Sequence, residues 1–216
     1  SDGLIIFGNS DKADFSMQFF NPDGSGGMMC GNGGRSIVKF ASDKGVIYDS
    51  CSFIAPDGLH FATINEDIVS LKMVNPTLLQ RFEDGYYINT GTSHFVVFEE
   101  DLNKINIIEK GRSIRYDERF SHYNGCNVNF VEEISLNNIR IRTYERGVED
   151  ETLACGTGIC AAALTYSIEK GLKNGKRTIN ISAKGGDLQV EFENKSDNSL
   201  SEVYLIGTAN SVFEGE

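Results

Sequence analysis

Short runs in which apolar and polar residues alternate dominate this chain, and they predict a protein built mainly from β-strands. Aromatic and β-branched residues are frequent in these runs, as is usual where one face of a strand is buried. Lys184-Gly185-Gly186-Asp187 lies between two of the runs and predicts a hairpin turn. The predicted strands are residues 15–20, 61–64, 70–74, 86–89, 94–98, 127–131, 139–144, 178–182, 188–192 and 203–206.

Two segments have the apolar pattern of a helix instead. Residues 32–42 place apolar side chains at helical spacing and precede a turn at Gly45. Residues 157–170 are apolar nearly all round in their middle and stop before Gly171, which predicts a buried helix. Many strands with one buried helix in each half predict an α+β fold of two similar lobes. Each lobe would be a mainly antiparallel sheet wrapped around a central helix, with the active site in the cleft between them.

The strand pattern is interrupted by polar residues and a proline between Asn75 and Asp84, which predicts a domain boundary there. We therefore expect an N-terminal lobe at residues 1–78 and a C-terminal lobe at residues 79–206. A last strand at about residues 207–216 is expected to return to the first lobe.

The charge of the chain argues against a nucleic-acid partner. Its 31 acidic and 20 basic residues give a net charge of −11, whereas binding to a phosphate backbone needs a basic face. The sequence contains no apolar run long enough to span a bilayer and no signal-like start, so we expect no membrane partner. A small-molecule substrate is the remaining expectation, and a homodimer is an open alternative to a monomer.

The cysteine inventory favours a reducing cytoplasm. The five cysteines are an odd number without regular spacing, so they do not form a disulfide framework. Only three histidines accompany them, and no Cys-x-x-Cys pair occurs, so a metal site is not expected either.

Two cysteines share one local pattern, in which Cys-Gly-x-Gly opens a predicted helix. They are Cys30, followed by Gly31 and Gly33, and Cys155, followed by Gly156 and Gly158. A thiol at a helix N-terminus faces unpaired backbone N–H groups, which favour the thiolate. One such turn is more often a tight connection to a packed helix, but two of them suggest a pair of sulfurs on either side of a substrate carbon. One sulfur could remove a proton and the other deliver one to the opposite face, inverting a stereocentre without a cofactor.

Motifs along nearly the whole chain resemble those of the diaminopimelate epimerases, which work without pyridoxal phosphate. The resemblance implies an isomerase that interconverts LL- and meso-diaminopimelate, in lysine and peptidoglycan precursor synthesis, with no cofactor and no metal. The segments that carry it are Asp2-Gly3-Leu4-Ile5, Phe20-Asn21-Pro22-Asp23-Gly24-Ser25, Met29-Cys30-Gly31-Asn32-Gly33-Gly34-Arg35, Asn89-Thr90-Gly91-Thr92-Ser93-His94, Gly125-Cys126-Asn127-Val128-Asn129-Phe130, Tyr144-Glu145-Arg146-Gly147, Thr152-Leu153-Ala154-Cys155-Gly156-Thr157-Gly158, Gly207-Thr208-Ala209 and Val212-Phe213-Glu214-Gly215.

The resemblance also implies a role for each matched residue. Cys30 and Cys155 would be the acid/base thiols, with His94 near Cys30 and Glu145 near Cys155 to help proton exchange. Seven further residues would bind substrate. The backbone N–H groups of four would hold the carboxylate at the reacting centre, and these are Gly31, Asn32, Gly156 and Thr157. The other three would bind the far end of the substrate, and these are Asn21, Asn127 and Arg146.

One family feature does not occur in this sequence. The front segment with Gly-x-Gly-Asn-Asp-Phe is missing, and we expect the sequence to be a piece of a longer protein that carries it. Two other functions stay open at this stage. A proline or hydroxyproline racemase would have the same fold, although that group usually has Cys-Gly-His where this chain has Cys30-Gly31-Asn32. A non-catalytic thiol or ligand-binding protein is the second alternative.

Overall fold

The computed structural model describes residues 3–27, 30–172, 174–195 and 199–215, and the chain divides into two compact units. Unit 1 comprises Ser1–Met73 and Tyr204–Glu216, and unit 2 comprises Val74–Val203. Asp2 and Met29, which belong to two of the motifs above, lie outside the described residues.

Unit 1 is a sheet covered by one helix. Its elements are β1 (Leu4–Gly8), β2 (Phe15–Phe20), β3 (Gly26–Gly27), α1 (Gly31–Asp43), β4 (Ser50–Ala55), β5 (Gly58–Asn65) and β6 (Ile68–Lys72). The strands follow the order β1-β2-β4-β5-β6, with β3 beside β2. All of these neighbours are antiparallel except β2 and β4. The helix buries Ile37, Val38 and Ala41, and it packs on β1, β5 and β6.

Unit 2 contains a mixed arrangement of strands and, among its described residues, two α-helices. Its elements are β7 (Thr77–Phe82), β8 (Gly85–Asn89), β9 (Ser93–Phe98), α2 (Ile107–Arg115), β10 (Asn127–Ser135), β11 (Asn138–Glu145), β12 (Asp150–Thr152), α3 (Gly156–Glu169), β13 (Gly175–Ala183) and β14 (Gly186–Asn194). The order is β14-β13-β11-β10-β9-β8-β7, with β12 beside β11. The β9/β10 and β11/β13 pairs are parallel, and the other pairs are antiparallel.

The last strand, β15 (Leu200–Thr208), contains the boundary between the units at Val203 and Tyr204. Its residues 204–208 pair antiparallel with β6 in unit 1. The α+β class and the sheet-dominated architecture that the sequence predicts are therefore confirmed.

Helix α3 lies within the core of unit 2, as the sequence predicts. Every residue from Gly158 to Ser167 is buried, and the helix contacts six strands of its sheet, β8, β9, β10, β11, β13 and β14. Burying a large apolar side chain such as Ile159 or Leu164 stabilises a fold by about 1.5–3 kcal/mol. In the part of the chain that the structure describes, no helix is both long and apolar enough to cross a membrane.

Helix α2 is an additional helix of unit 2, beyond the one buried helix that the sequence predicts in each half. Asn106 precedes it and caps it by accepting a hydrogen bond from the backbone N–H of Glu109 at 3.2 Å. Gly111 then lets the helix approach the sheet, because a Cβ at this position would lie 2.5 Å from the Cβ of Tyr144. Tyr144 itself is fully buried on β11.

We predict that Gly111→Ala destabilises unit 2 by about 1–3 kcal/mol, the usual cost of overpacking a well-packed interior. Alanine is the better helix former by about 1 kcal/mol, so propensity alone would give the opposite sign. The matched control is Ser113→Ala, an exposed position in the same helix. Urea denaturation measures both variants. A Gly111→Ala protein as stable as the control would contradict the close approach.

Candidate active site

Cys30 is the residue immediately before helix α1. Its backbone is extended, and its sulfur accepts a hydrogen bond from the backbone N–H of Gly33 at 3.3 Å. The first hydrogen bond within the helix runs from the N–H of Gly34 to the carbonyl of Cys30 at 2.8 Å. The N–H groups of Gly31 and Asn32 come before it, so helix geometry leaves them for an external acceptor. The Cys30 side chain is exposed, so this helix start can meet a ligand.

Cys155 stands in the same position before helix α3 in unit 2. Its backbone is also extended, and the N–H of Ile159 bonds to its carbonyl at 2.8 Å. Its sulfur lies 3.4 Å from the Thr157 hydroxyl and is partly exposed. The N–H groups of Gly156 and Thr157 therefore precede the first helical hydrogen bond, as those of Gly31 and Asn32 do in α1.

The second glycine of each Cys-Gly-x-Gly turn is closely packed. A Cβ on Gly33 would lie 3.3 Å from the Cys30 sulfur and equally close to Ile5 and Met17. A Cβ on Gly158 would lie 2.4 Å from Oδ1 of Asn129, which real structures do not tolerate. Helix α3 thus has no room for a side chain at Gly158, whereas α1 would admit one at Gly33 only if its neighbours moved by a few tenths of an ångström.

His94 is fully buried on β9, and both of its ring nitrogens have partners in unit 2. Nδ1 lies 2.9 Å from Nδ2 of Asn129, and Nε2 lies 2.9 Å from the hydroxyls of both Thr92 and Thr157. Burial lowers the pKa of His94 to about 3, with the nearby Arg146 charge adding to the effect. His94 is therefore a neutral ring at physiological pH, and its contacts join it to the turn of Cys155.

Glu145 ends β11, and the hairpin to β12 leads from it toward Cys155. In this hairpin Glu145 lies opposite Asp150, and Thr143 lies opposite Thr152. Burial raises the pKa of Glu145 above the ordinary carboxyl value, with the Thr152 hydroxyl acting in the opposite direction. A carboxyl group in this state is closer to exchanging protons near neutral pH than an exposed one.

Asn127 and Arg146, which the sequence assigns to one end of the substrate, lie together. The backbone N–H of Arg146 donates to Oδ1 of Asn127 at 2.9 Å, and Nδ2 of Asn127 donates to the Ser93 carbonyl at 3.2 Å. One guanidinium nitrogen of Arg146 lies 3.3 Å from the carbonyls of Tyr123 and Gly125. Asn127 therefore holds the backbone from which the Arg146 side chain extends.

Asn21 belongs to unit 1, in the turn after β2. Its side-chain nitrogen donates to the Ser25 hydroxyl at 3.0 Å, and its backbone N–H bonds to the Ser25 carbonyl at 2.9 Å. It also lines a surface depression with residues that include Gly3, Leu4 and Phe20.

The structure thus collects the predicted site residues into two sets, one in each unit. Unit 1 holds Asn21, Cys30, Gly31 and Asn32, and unit 2 holds His94, Asn127, Glu145, Arg146, Cys155, Gly156 and Thr157. The expected proximity of His94 to Cys30 joins different units and stays a prediction. Among the described residues, no group of three or more His, Cys, Asp or Glu side chains is arranged to hold a metal ion.

Sequence reasoning assigned no role to three polar residues in the hydrogen-bond network of His94. Thr92 and Asn129 contact its ring, and Thr143 contacts Asn129. Asn129 and Thr143 are buried opposite each other on β10 and β11. Their one signal in the sequence was a polar side chain at a position that alternation places on the covered face of a strand. Such a position needs a hydrogen-bond partner, and the partner is visible only once the strands are paired.

Comparison with known proteins adds the family. The sequence profile described as diaminopimelate epimerase matches residues 86–212 of this chain. The diaminopimelate epimerase of Flavobacterium psychrophilum is 42% identical over 215 residues, which cover 99% of this chain and 82% of that protein. The diaminopimelate epimerase of Aquifex aeolicus is 42% identical over 228 residues, which cover all of this chain and 79% of that protein.

Solved structures with similar folds come from other groups of proteins. A Bacillus anthracis protein described as a phenazine biosynthesis protein of the PhzF family matches with a TM-score of 0.77 at 15% identity, covering 96% of this chain and 81% of that one. A hydroxyproline epimerase from Agrobacterium vitis matches with a TM-score of 0.68 at 16% identity, covering 95% of this chain and 72% of that one. These likenesses concern the fold alone. The profile match and the two relatives decide the family: this chain belongs to the diaminopimelate epimerases, which are isomerases.

Proposed function

We propose that this protein interconverts LL- and meso-diaminopimelate by moving a proton at one α-carbon, with Cys30 and Cys155 as the two acid/base groups. One observation carries the proposal: each unit places a cysteine directly before a buried helix start of the same Gly-x-Gly form. The alternative of a proline racemase has the same fold. It is disfavoured because the near-full-length relatives at 42% identity are diaminopimelate epimerases.

The helix starts supply the anion site that this chemistry needs. The N–H groups of Gly31, Asn32, Gly156 and Thr157 precede the first helical hydrogen bonds and would hold the α-carboxylate of the substrate. Negative charge spreads onto that carboxylate when the α-proton leaves. Fixed donors aimed at developing charge are worth about 3 kcal/mol each in comparable sites. They lower the barrier to removing a weakly acidic proton.

The proton transfer is balanced between the two sulfurs. A thiolate on one side takes the α-proton and becomes a thiol, and the electron pair of the C–H bond stays on the substrate. The thiol on the other side gives its proton to the opposite face of that carbon and becomes a thiolate. The product has the inverted configuration, and the two sulfurs have exchanged protonation states.

The enzyme must then return to its starting protonation state, and Glu145 is suited to this exchange at Cys155. It is half-buried, its pKa is raised by that burial, and its hairpin leads to the cysteine turn. For His94 the resemblance suggests a matching role at Cys30. Its hydrogen bonds within unit 2 support a role in ordering the Cys155 turn as well.

The distal end of diaminopimelate carries a second carboxylate and a second amine. Arg146 would bind that carboxylate as a planar fork of N–H donors. Asn127 holds the Arg146 backbone, and Asn21 would add an amide from unit 1. A second carboxylate is absent from proline, so this subsite favours diaminopimelate over the alternative substrate.

We also propose a cytoplasmic location, because the five cysteines are free thiols, as a reducing compartment favours. A homodimer stays a prediction.

In heavy water, the full-length protein is expected to convert LL-diaminopimelate into a product with deuterium at the inverted α-carbon. Replacing either thiol, as Cys30→Ala or Cys155→Ala, should lower turnover by about 10²–10⁴-fold, the usual share of a positioned acid or base. Cys160→Ala, in the buried middle of α3, is the matched control and should retain turnover within a few-fold. The measurements are chiral chromatography and mass spectrometry.

Two outcomes would contradict the two-thiol mechanism. Inversion without deuterium uptake would exclude exchange of the proton with solvent through the thiols. Unchanged turnover in Cys155→Ala would remove that residue from the chemistry.

The neutral state of His94 predicts a pH dependence of stability. The pKa of the ring falls from about 6.5 in an unfolded chain to about 3 in the fold. Between these values the unfolded chain binds one proton more than the folded protein. The free energy of unfolding therefore falls as the pH drops below about 6.5, by up to about 1.4 kcal/mol per pH unit from this group.

His94→Gln should reduce that slope by about 1.4 kcal/mol per pH unit between pH 6 and pH 4, the contribution of one bound proton. This change in slope is expected whatever the effect of the substitution on stability at pH 7. Urea denaturation across this range gives the slope. The control is His122→Gln, an exposed histidine of the same unit. Equal slopes in the wild type and His94→Gln would mean that His94 is not buried as a neutral ring.

A further inference from the structure

Asn129 is a fully buried amide that the proposed chemistry does not use. It lies on β10 directly opposite Thr143 of β11 and two positions along from the residue that pairs with His94 of β9. Residues two apart on a strand share a face, so all three side chains point to the same side of the sheet. The first turn of α3 covers that side, with Gly158 against the Asn129 oxygen.

The Asn129 amide has its oxygen toward Thr143 and its nitrogen toward His94. The Thr143 hydroxyl donates to Oδ1 at 3.0 Å, and Nδ2 lies 2.9 Å from Nδ1 of His94. An amide nitrogen only donates hydrogen bonds. Nδ1 of His94 must therefore accept, and the single proton of the neutral ring is left on Nε2.

A proton on Nε2 determines the direction of the next hydrogen bonds. Nε2 points at the hydroxyls of Thr92 and Thr157, which are 3.1 Å apart, and it can only donate to them. Nδ2 of Asn127 adds a further donor to the Thr92 hydroxyl at 3.4 Å. Thr92 already receives two N–H donors, so its own proton can go to the Thr157 oxygen. The Thr157 proton then needs an acceptor outside this pair, and the Cys155 sulfur lies 3.4 Å from the Thr157 oxygen.

We infer that Asn129 is a positioning residue: it fixes the Nε2–H form of His94 and thereby makes the Thr157 hydroxyl a hydrogen-bond donor to the Cys155 sulfur. The chain of donors runs from Thr143 to Asn129, to His94, to Thr157 and to Cys155. A donor aimed at a sulfur stabilises its thiolate, which is the form that removes a proton. The catalytic meaning of this inference rests on the function proposed above, but the hydrogen-bond order does not.

The surroundings of the ring support the neutral form. Burial lowers the pKa of His94, and the nearby positive charge of Arg146 lowers it further, so both disfavour protonation of the ring. A cationic His94 would have a proton on each nitrogen, and its Nδ1–H would then face the Asn129 N–H.

The direct test is the protonation of the His94 ring, read by nitrogen NMR of the folded wild-type protein at pH 7. The expected spectrum has Nδ1 without a proton and Nε2 with one. A protonated Nδ1 at this pH would overturn the inference. This result does not depend on whether the protein epimerises any substrate.

Asn129→Asp tests the consequence at the sulfur. A carboxylate next to Nδ1 accepts instead of donating, so the neutral ring should change to the Nδ1–H form, as carboxylates do for histidines in catalytic triads. Nε2 then accepts from Thr157, and the sulfur loses its donor. We expect Cys155 to react several-fold more slowly with iodoacetamide, with exposed Cys30 as the internal reference. We expect kcat to fall about 10- to 100-fold with little change in KM.

A double variant separates this role from a merely structural one. Thr157→Val already removes the hydroxyl, so adding Asn129→Asp to it should cost less than a further factor of about three in kcat. Asn194→Asp is the control for a buried carboxylate in unit 2, because Asn194 is equally an amide donor, to the Leu172 carbonyl at 2.8 Å. It should leave the Cys155 alkylation rate unchanged. Losses that multiply in the double variant, or slower alkylation in the control, would overturn the inference.

Discussion

The close approach of a helix start to a sheet is the constraint on which both halves of this protein depend. In each unit a cysteine precedes a helix whose first turn is closely packed, tightly at Gly33 in one unit and with no space for a Cβ at Gly158 in the other. The approach fixes the cysteine before the helix and directs the first N–H groups outward. A larger residue at Gly158 would displace either the helix start or the Asn129 amide, so packing and the position of the Cys155 turn are linked.

The polar interior of unit 2 is the second feature that links fold and function. Buried polar groups without partners are costly, so His94, Asn129 and Thr143 are stable only as a connected set. Connection also couples the members, because the donor or acceptor role of one group sets the role of the next. A buried network of this kind can determine the state of a group at its end, and here the end is the turn of Cys155.

Most of the architecture could be predicted from the sequence because its signals are local. The two Cys-Gly-x-Gly helices agree with α1 and α3 within one residue at each end, and the hairpin at Gly185 joins β13 to β14. Helix α2 was missed because it has few apolar residues and a glycine in its middle. Its capping pair, Asn106 followed by Glu109, was the signal available. Strand β7 was also not predicted. Its Leu78 adopts a φ of 54°, which is outside ordinary strand geometry.

The site residues could be predicted because their motifs resemble those of a known family. The contacts that support these residues could not be predicted. Nothing in the spacing of His94, Asn129 and Thr157 along the chain reveals that a parallel strand pair and a helix start bring them together. Such contacts depend on strand order, which a single sequence specifies poorly when it is considered by itself. The two sulfurs themselves were found because their turns repeat.

The central claim is that both sulfurs act on one carbon. A crystal structure of the full-length protein with meso-diaminopimelate bound tests it most directly. The account predicts the sulfurs of Cys30 and Cys155 on opposite faces of one α-carbon, each about 3–3.5 Å from it, the separation of reacting atoms in a productive complex. A structure with both sulfurs on the same face, or with either one too far to reach that carbon, would contradict it.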